Sequence, residues 1–142
     1  MYDSLLVATD GSDTASLAAE HAIGLAKRLD ATLYGVAVVE TRTAYDNDIV
    51  DPDEAEQRLR ERAEASLAAL EEAADDAGIH VETGLRAGVP HEEIVAHAGE
   101  RGVDAIVVGS RGRSEFKRAL LGSTVDGVTR LATRPVLVVG NG

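Results

Sequence analysis

The stretch Asp104-Ala105-Ile106-Val107-Val108-Gly109-Ser110-Arg111-Gly112, followed nine residues later by Gly122-Ser123-Thr124, decides how the rest of the chain is read. A short apolar run bounded by an acid and a glycine has the pattern of a strand buried on both faces. Gly109 closes that strand, and glycine lets a ligand approach the main chain closely and takes positive φ without steric cost. Gly112 has the same freedom. Gly122 precedes two hydroxyl residues at the start of a helical pattern, where free N–H groups and the helix dipole attract an anion. Residues 109–118 hold Arg111, Arg113, Lys117 and Arg118 against one acid, Glu115. Guanidinium forks suit phosphate oxygens, so strand, glycines, cations and helix start converge on phosphate binding. The competing reading is that Gly109 merely ends a strand and Ser123 merely caps a helix carrying Asp126 in its first turn.

Outward from this stretch the pattern alternates. Leu5-Leu6-Val7-Ala8 reads as a first strand, residues 14–29 as a helix with Ala15, Ala18, Ala22, Leu25 and Leu29 at helical spacing, and residues 32–39 as a second strand. A long polar connection over residues 40–51 follows. Asp51-Pro52-Asp53 opens a second helix, with proline in the first turn and acids at the positive end of the dipole. That helix ends at Gly78. Residues 80–85 read as a third strand, 90–100 as a third helix opened by Pro90, 105–108 as the fourth strand, 123–132 as a fourth helix, and 136–139 as a fifth strand behind Pro135. The order β-α-β-α-β-α-β-α-β with near-continuous apolar strands predicts an α/β fold, an open doubly wound parallel sheet with helices on both faces. Such sheets bind ligands at the carboxyl ends of their strands, where the strand order reverses. Periodicity does not tell which strands flank that point.

Composition narrows the function. The chain has 142 residues, a single-domain length, and no cysteine, which excludes disulfides and thiolate metal sites. No apolar run approaches a membrane span, and the start lacks a basic n-region and cleavage site, so a cytoplasmic protein is expected. The net charge of -11 argues against nucleic acid as a partner. Lys27 and Lys117 are its only lysines. Abundant acid with scarce lysine fits a protein working in concentrated salt, where self-repulsion of the surface is screened; an acidic protein of ordinary surroundings is the other reading.

Asp10 is the second candidate. It follows the first strand and emerges beside Gly109 if strands 1 and 4 are neighbours. A carboxylate there accepts from ribose hydroxyls or holds a hydrated divalent metal; otherwise it shapes a turn with Ser12 and Asp13. Other features carry less. His91-Glu92-Glu93-Ile94-Val95 resembles the start of a zinc-protease helix, but its second histidine is His97, on the wrong face. His21 and His80 are isolated and read as surface or satisfied histidines. No P-loop sequence is present. A receiver domain needs an aspartate after strand 3 and a lysine after strand 5, where this chain has Leu85-Arg86 and Gly140-Asn141. Tyr45, in the polar connection, is a weak candidate for stacking on a base.

Gly109, Gly112, Gly122 and Ser123 fit the pattern Gly, two residues, Gly, nine residues, Gly, Ser or Thr, and the opening Leu6-Val7-Ala8-Thr9-Asp10-Gly11-Ser12 fits as well. In these residues, over nearly its whole length, the chain resembles the universal stress proteins of the nucleotide-binding kind. The resemblance implies strand order 3-2-1-4-5 with ATP, or AMP or ADP, across strands 1 and 4, accompanied by Mg2+ or Mn2+. It implies that Ala8, Thr9 and Asp10 lie near the nucleoside and that Val38 presents backbone to adenine. Val108, Gly109, Arg111, Gly112, Arg113, Ser114 and Glu115 then border ribose and phosphates. Gly122, Ser123, Thr124 and Val125 hold the phosphate chain. It implies a homodimer through Val136–Val139, an edge strand that would otherwise invite aggregation. Glu115 departs from the family pattern by setting an acid beside the phosphates.

No catalytic pair is placed by these motifs, so the expected function is a stress-response regulator that uses ATP as a ligand rather than a fuel. Self-phosphorylation on Ser114, Ser123 or Thr124 stays open. Two alternatives stand beside it. One is an enzyme of the ATP-pyrophosphatase or nucleotidyl-transferase type, although Thr9-Asp10-Gly11-Ser12-Asp13 puts two carboxylates where such enzymes carry a phosphate loop. The other is a nucleotide-free dimerisation module.

Overall fold

The computed structural model describes residues 1–40, 52–111 and 122–140. The elements are β1 (Ser4–Ala8), α1 (Asp13–Leu29), β2 (Thr32–Val39), α2 (Pro52–Asp76), β3 (Val81–Ala87), α3 (Pro90–Arg101), β4 (Ala105–Gly109), α4 (Ser123–Leu131) and β5 (Val136–Val139). The strands form one parallel sheet in the order β3-β2-β1-β4-β5. Register is set by Leu5 opposite both Leu33 and Ala105, and by Ile106 opposite Val136. The order reverses between β1 and β4, so the carboxyl ends of these two strands form the switch point where doubly wound sheets take ligands.

Both faces of the sheet are covered because successive strand residues point to opposite sides. Leu5 and Val7 of β1, with Ala105 and Val107 of β4, pack against Ala18, Ala22 and Ile23 of α1 and Leu70 and Ala74 of α2. Leu6, Ile106 and Val108 face the other way, onto Ile94 and Ala98 of α3 and Val125 and Val128 of α4. The upper part of α2 closes a third cluster with Ala63 and Leu67 against Ala37 and Val39. The alanine-rich face of α1 is what lets that helix lie close to the sheet. Gly35 serves the same end for α2, since a Cβ there would fall 2.3 Å from Leu70 Cδ2.

Element boundaries shift by one or two residues from the sequence reading, most instructively at β3, β4 and α4. β3 runs on through Arg86 and Ala87, because they pair with Val38 and Val39 of β2. β4 includes Gly109, which pairs with Val139. α4 stops at Leu131, and Ala132 is an extended C-cap whose N–H donates to Val128 O. α1 ends on a non-glycine residue, Asp30, held at φ 55 with its N–H on Ala26 O. Among the described residues no helix is long and apolar enough to cross a membrane.

Candidate functional site

The exit of β1 is a tight, internally bonded turn. Thr9 N–H donates to Val36 O at 2.9 Å, carrying the β1–β2 ladder one step past Ala8. Asp10 Oδ1 accepts the Ser12 N–H at 2.9 Å, and Gly11 takes φ 81. Ser12 is then the N-cap of α1, its hydroxyl accepting the Ala15 N–H at 3.2 Å. Asp10 is exposed at this edge. It therefore shapes the turn, the second of the two roles weighed for it, with its carboxylate at the exposed end of β1.

The exit of β4 is clamped to α1. A Cβ on Gly109 would lie 2.7 Å from the carbonyl carbon of Thr14 and 2.8 Å from Ala15 N. The space that glycine leaves open is occupied by the first turn of a helix. Two residues on, the main chain of Arg111 is held on both sides by one side chain. Arg111 N–H donates to Thr14 Oγ1 at 3.3 Å, and the Thr14 hydroxyl donates to Arg111 O. Ser12 Oγ adds a longer bond to the same carbonyl, 3.4 Å. Thr14 is buried. Nothing in the sequence singles it out, because its partner is 97 positions away.

The start of α4 is brought to the same place. Gly122 N–H donates to Ser110 O at 2.8 Å, while Ser110 N–H donates to Val139 O at 2.8 Å. Gly122 is the extended N-cap of α4 and brings no side chain of its own to cap it. Its hydroxyl residues differ in setting: Ser123 is exposed, Thr124 half-buried, and Val125 belongs to the core beneath. On the far side of β1, β2 projects beyond its neighbour. β1–β2 pairing ends at Ala8 and Thr9 against Val36, so Val38 pairs with Arg86 of β3 and faces no strand on its β1 side among the described residues. Ala8, Thr9, Asp10, Val38, Val108, Gly109, Arg111 and Gly122 to Val125 thus share one edge of the sheet. Gly112, Arg113, Ser114 and Glu115 lie outside the described residues, as does Tyr45.

A second polar cluster, not anticipated from the sequence, lies between β3 and α3. Arg86 Nε bonds Glu93 at 2.9 Å and its Nη1 bonds Glu100 at 2.7 Å. The Glu93 hydrogen bond is the chief reason its pKa is raised, and Glu100 adds to it. Arg101 pairs with Glu82 at 3.3 Å and sits 5.6 Å from the Tyr34 ring centre. His97 is buried against β3, so close that a Cβ on Gly84 would fall 2.7 Å from its Cε1. Its Nδ1 lies 3.4 Å from Arg86 Nη1, and Nε2 has no hydrogen-bond partner among the described residues. Burial, with Arg86 and Arg101 nearby, pushes the His97 pKa down. The cations here are already answered by carboxylates of their own, which leaves little for an anionic ligand.

Comparison with known proteins agrees with this fold. The profile of the Universal stress protein family matches residues 1–140. Universal stress protein YxiE of Bacillus subtilis is 37% identical over 147 residues, covering 98% of this chain and 99% of YxiE. The solved structure of MJ0577, a universal stress protein of Methanocaldococcus jannaschii, superposes with a TM-score of 0.86 at 32% identity, over 100% of this chain and 98% of that one. A universal stress protein crystallised in complex with cAMP superposes with a TM-score of 0.69 at 28% identity, over 97% of each chain.

Proposed function

This chain belongs to the universal stress protein family, and we propose that it binds ATP between the carboxyl ends of β1 and β4 as a regulatory ligand in a stress response. The observation that carries this reading is the start of α4. Its N-cap is a buried glycine whose N–H is tied to Ser110 O and which has no side chain to set between the helix start and a ligand, on the sheet edge that also holds Asp10. A helix start of this kind offers main-chain donors and a positive dipole end to a phosphate chain. The projecting edge of β2 at Val38 supplies main-chain groups for an adenine. The likeness to a universal stress protein crystallised with cAMP supports an adenine nucleotide as the ligand class.

Asp10, at the β1 exit, takes the ribose hydroxyls, and Ser123 and Thr124 add hydroxyl donors to the phosphates. A Mg2+ or Mn2+ ion arrives on the nucleotide rather than on a preformed cage, since no cluster of three metal-ligating side chains occurs among the described residues. The nucleotide acts by favouring one arrangement of the chain and of a homodimer built on β5. That strand lies at the edge of the sheet and exposes Leu137. The acidic surface suits a salt-rich cytoplasm.

Native mass spectrometry of the purified protein tests the reading. A dimer carrying adenine nucleotide, or taking it up from added ATP with Mg2+, is expected. Gly122→Val sets a branched side chain at the α4 start and should lower ATP affinity by about a hundredfold, roughly the worth of two lost main-chain donors. A wild-type chain that ignores millimolar ATP overturns the proposal. Release of AMP or pyrophosphate at ordinary enzyme rates would put an enzyme in its place.

A further inference from the structure

We propose that Thr14 is the positioning residue of the nucleotide cleft, and that its hydroxyl latches the β4 exit onto the first turn of α1 so that the cleft is pre-formed before ligand arrives. The inference rests on the reading of the cleft as a nucleotide site, but the latch itself is a property of the unliganded chain.

Three observations point the same way. Thr14 Oγ1 accepts from Arg111 N–H and donates to Arg111 O, so a single hydroxyl fixes two successive peptide groups. Ser12 Oγ reaches the same carbonyl at 3.4 Å. Gly109 has no room for a side chain, because the Thr14 and Ala15 main chain occupies it. The β4 exit is therefore held by contact at Gly109 and by hydrogen bonds at Arg111. Between them, Ser110 O holds the N–H of Gly122 at the start of α4. The starts of α1 and α4 are thereby tied to three consecutive residues of one strand exit.

The chemistry of the latch bears on an anion. A carbonyl oxygen repels phosphate, and this one has its lone pairs engaged by two hydroxyls, from the N-cap and the first turn of α1. The Arg111 side chain, which the sequence nominates for phosphate, departs from a main chain that cannot reorient freely. Holding a binding group in place before the ligand arrives removes an ordering cost from binding. Thr14 does this without touching the nucleotide, so it acts through Arg111 and Gly122.

Thr14→Val keeps the side-chain shape and removes both hydrogen bonds. Thr14→Ser keeps the hydroxyl and serves as the conservative rescue. Amide hydrogen exchange on the full-length unliganded protein reads the latch directly. The Arg111 N–H should exchange at least tenfold faster in Thr14→Val than in wild type, with core amides of β1 unchanged, and Thr14→Ser should restore most of the protection. Calorimetric titration with ATP and Mg2+ reads the consequence: about tenfold weaker binding for Thr14→Val and near wild-type affinity for Thr14→Ser, a difference of about 1.4 kcal/mol. Unchanged Arg111 exchange in Thr14→Val overturns the latch, whatever the protein binds. Faster exchange with unchanged ATP affinity overturns the positioning role. A wild-type protein that binds no ATP overturns the nucleotide reading and the positioning role with it, while the exchange data alone judge the latch.

Discussion

The β4 exit and the β3–α3 flank are both polar regions at the margin of an apolar sheet, yet they are built from opposite materials. The β4 exit uses glycines, hydroxyls and main-chain groups: Gly109 against α1, Thr14 and Ser12 on Arg111, Ser110 on Gly122. The β3–α3 flank uses ionised side chains, with Arg86 between Glu93 and Glu100 and Arg101 on Glu82. Among the described residues the richer concentration of titratable groups belongs to the flank, and there the cations already have partners. Each of those cations has a carboxylate within 3.3 Å or less, so an incoming anion would have to displace a partner. At the β4 exit the described side chains of Ser12 and Thr14 are spent on fixing the backbone, and the start of α4 is tied to that same backbone through Ser110.

The sharpest way to break this contrast is at Gly109. Alanine there forces main chain apart, since two of its three nearest atoms are backbone atoms of Thr14 and Ala15 and the third is the buried Thr14 hydroxyl. We expect Gly109→Ala to cost about 3 kcal/mol in denaturant unfolding, the upper end for overpacking. Gly35→Ala meets only the tip of Leu70 and should cost less. A Gly109→Ala protein as stable as wild type that nonetheless fails to bind ATP would return this glycine to the ligand and away from α1.

Arg86→Met tests the other side. The substitution keeps much of the apolar stem and removes a guanidinium that is largely covered, its side chain 23% exposed. Glu93 and Glu100 then face each other without a cation. Losing two charge-assisted hydrogen bonds from a partly covered site costs about 2 kcal/mol. Thermal unfolding should show the loss as a fall of several degrees, while ATP affinity stays at the wild-type value. A variant that unfolds normally but has lost ATP would place the flank inside the binding site.

How far the sequence foretells these two regions follows from range. The alternation of strands and helices is readable because every strand is buried on both faces, so its apolar run is short and bounded, as at Ala105–Val108. The Gly122-Ser123-Thr124 start of α4 is readable because capping chemistry is local. The neighbouring of β1 and β4 is not periodic information and came from the resemblance to a family. Thr14 is illegible because a threonine in a first helical turn looks like any other, and its partner at Arg111 is set by the tertiary fold. Arg86 hides for a related reason: a charged residue seems to end an apolar strand after Leu85, and only α3 supplies the carboxylates that let β3 continue. Gly109 reads as a place where a ligand approaches the main chain, and the sequence could not say that the first turn of α1 lies against it.

His97 offers the finest adjustment of the comparison, because it asks whether the flank responds to protons. Arg86 Nη1 can only donate, so the 3.4 Å contact makes His97 Nδ1 the acceptor and leaves the proton on Nε2. A second proton would have to sit on Nδ1, facing a guanidinium, in a buried ring. Arg86 and Glu82 face it from β3, and Arg101 and Glu100 from α3; burial and the two arginines outweigh the carboxylates and hold the pKa below its usual value of 6.5. The unfolded chain therefore binds the proton more readily than the folded one. Stability contributed by neutral His97 is complete above about pH 6.5 and is lost as pH falls from there toward the depressed folded value, with a slope of at most about 1.4 kcal/mol per pH unit for one proton. Denaturant unfolding of His97→Phe, which keeps a ring against Gly84 and cannot titrate, should give a shallower pH dependence than wild type between pH 5 and 6.5, and ATP affinity should not change with it. Identical slopes in the two proteins would mean that another group carries the titration, and a matching shift in ATP affinity would join the flank to the β4 exit.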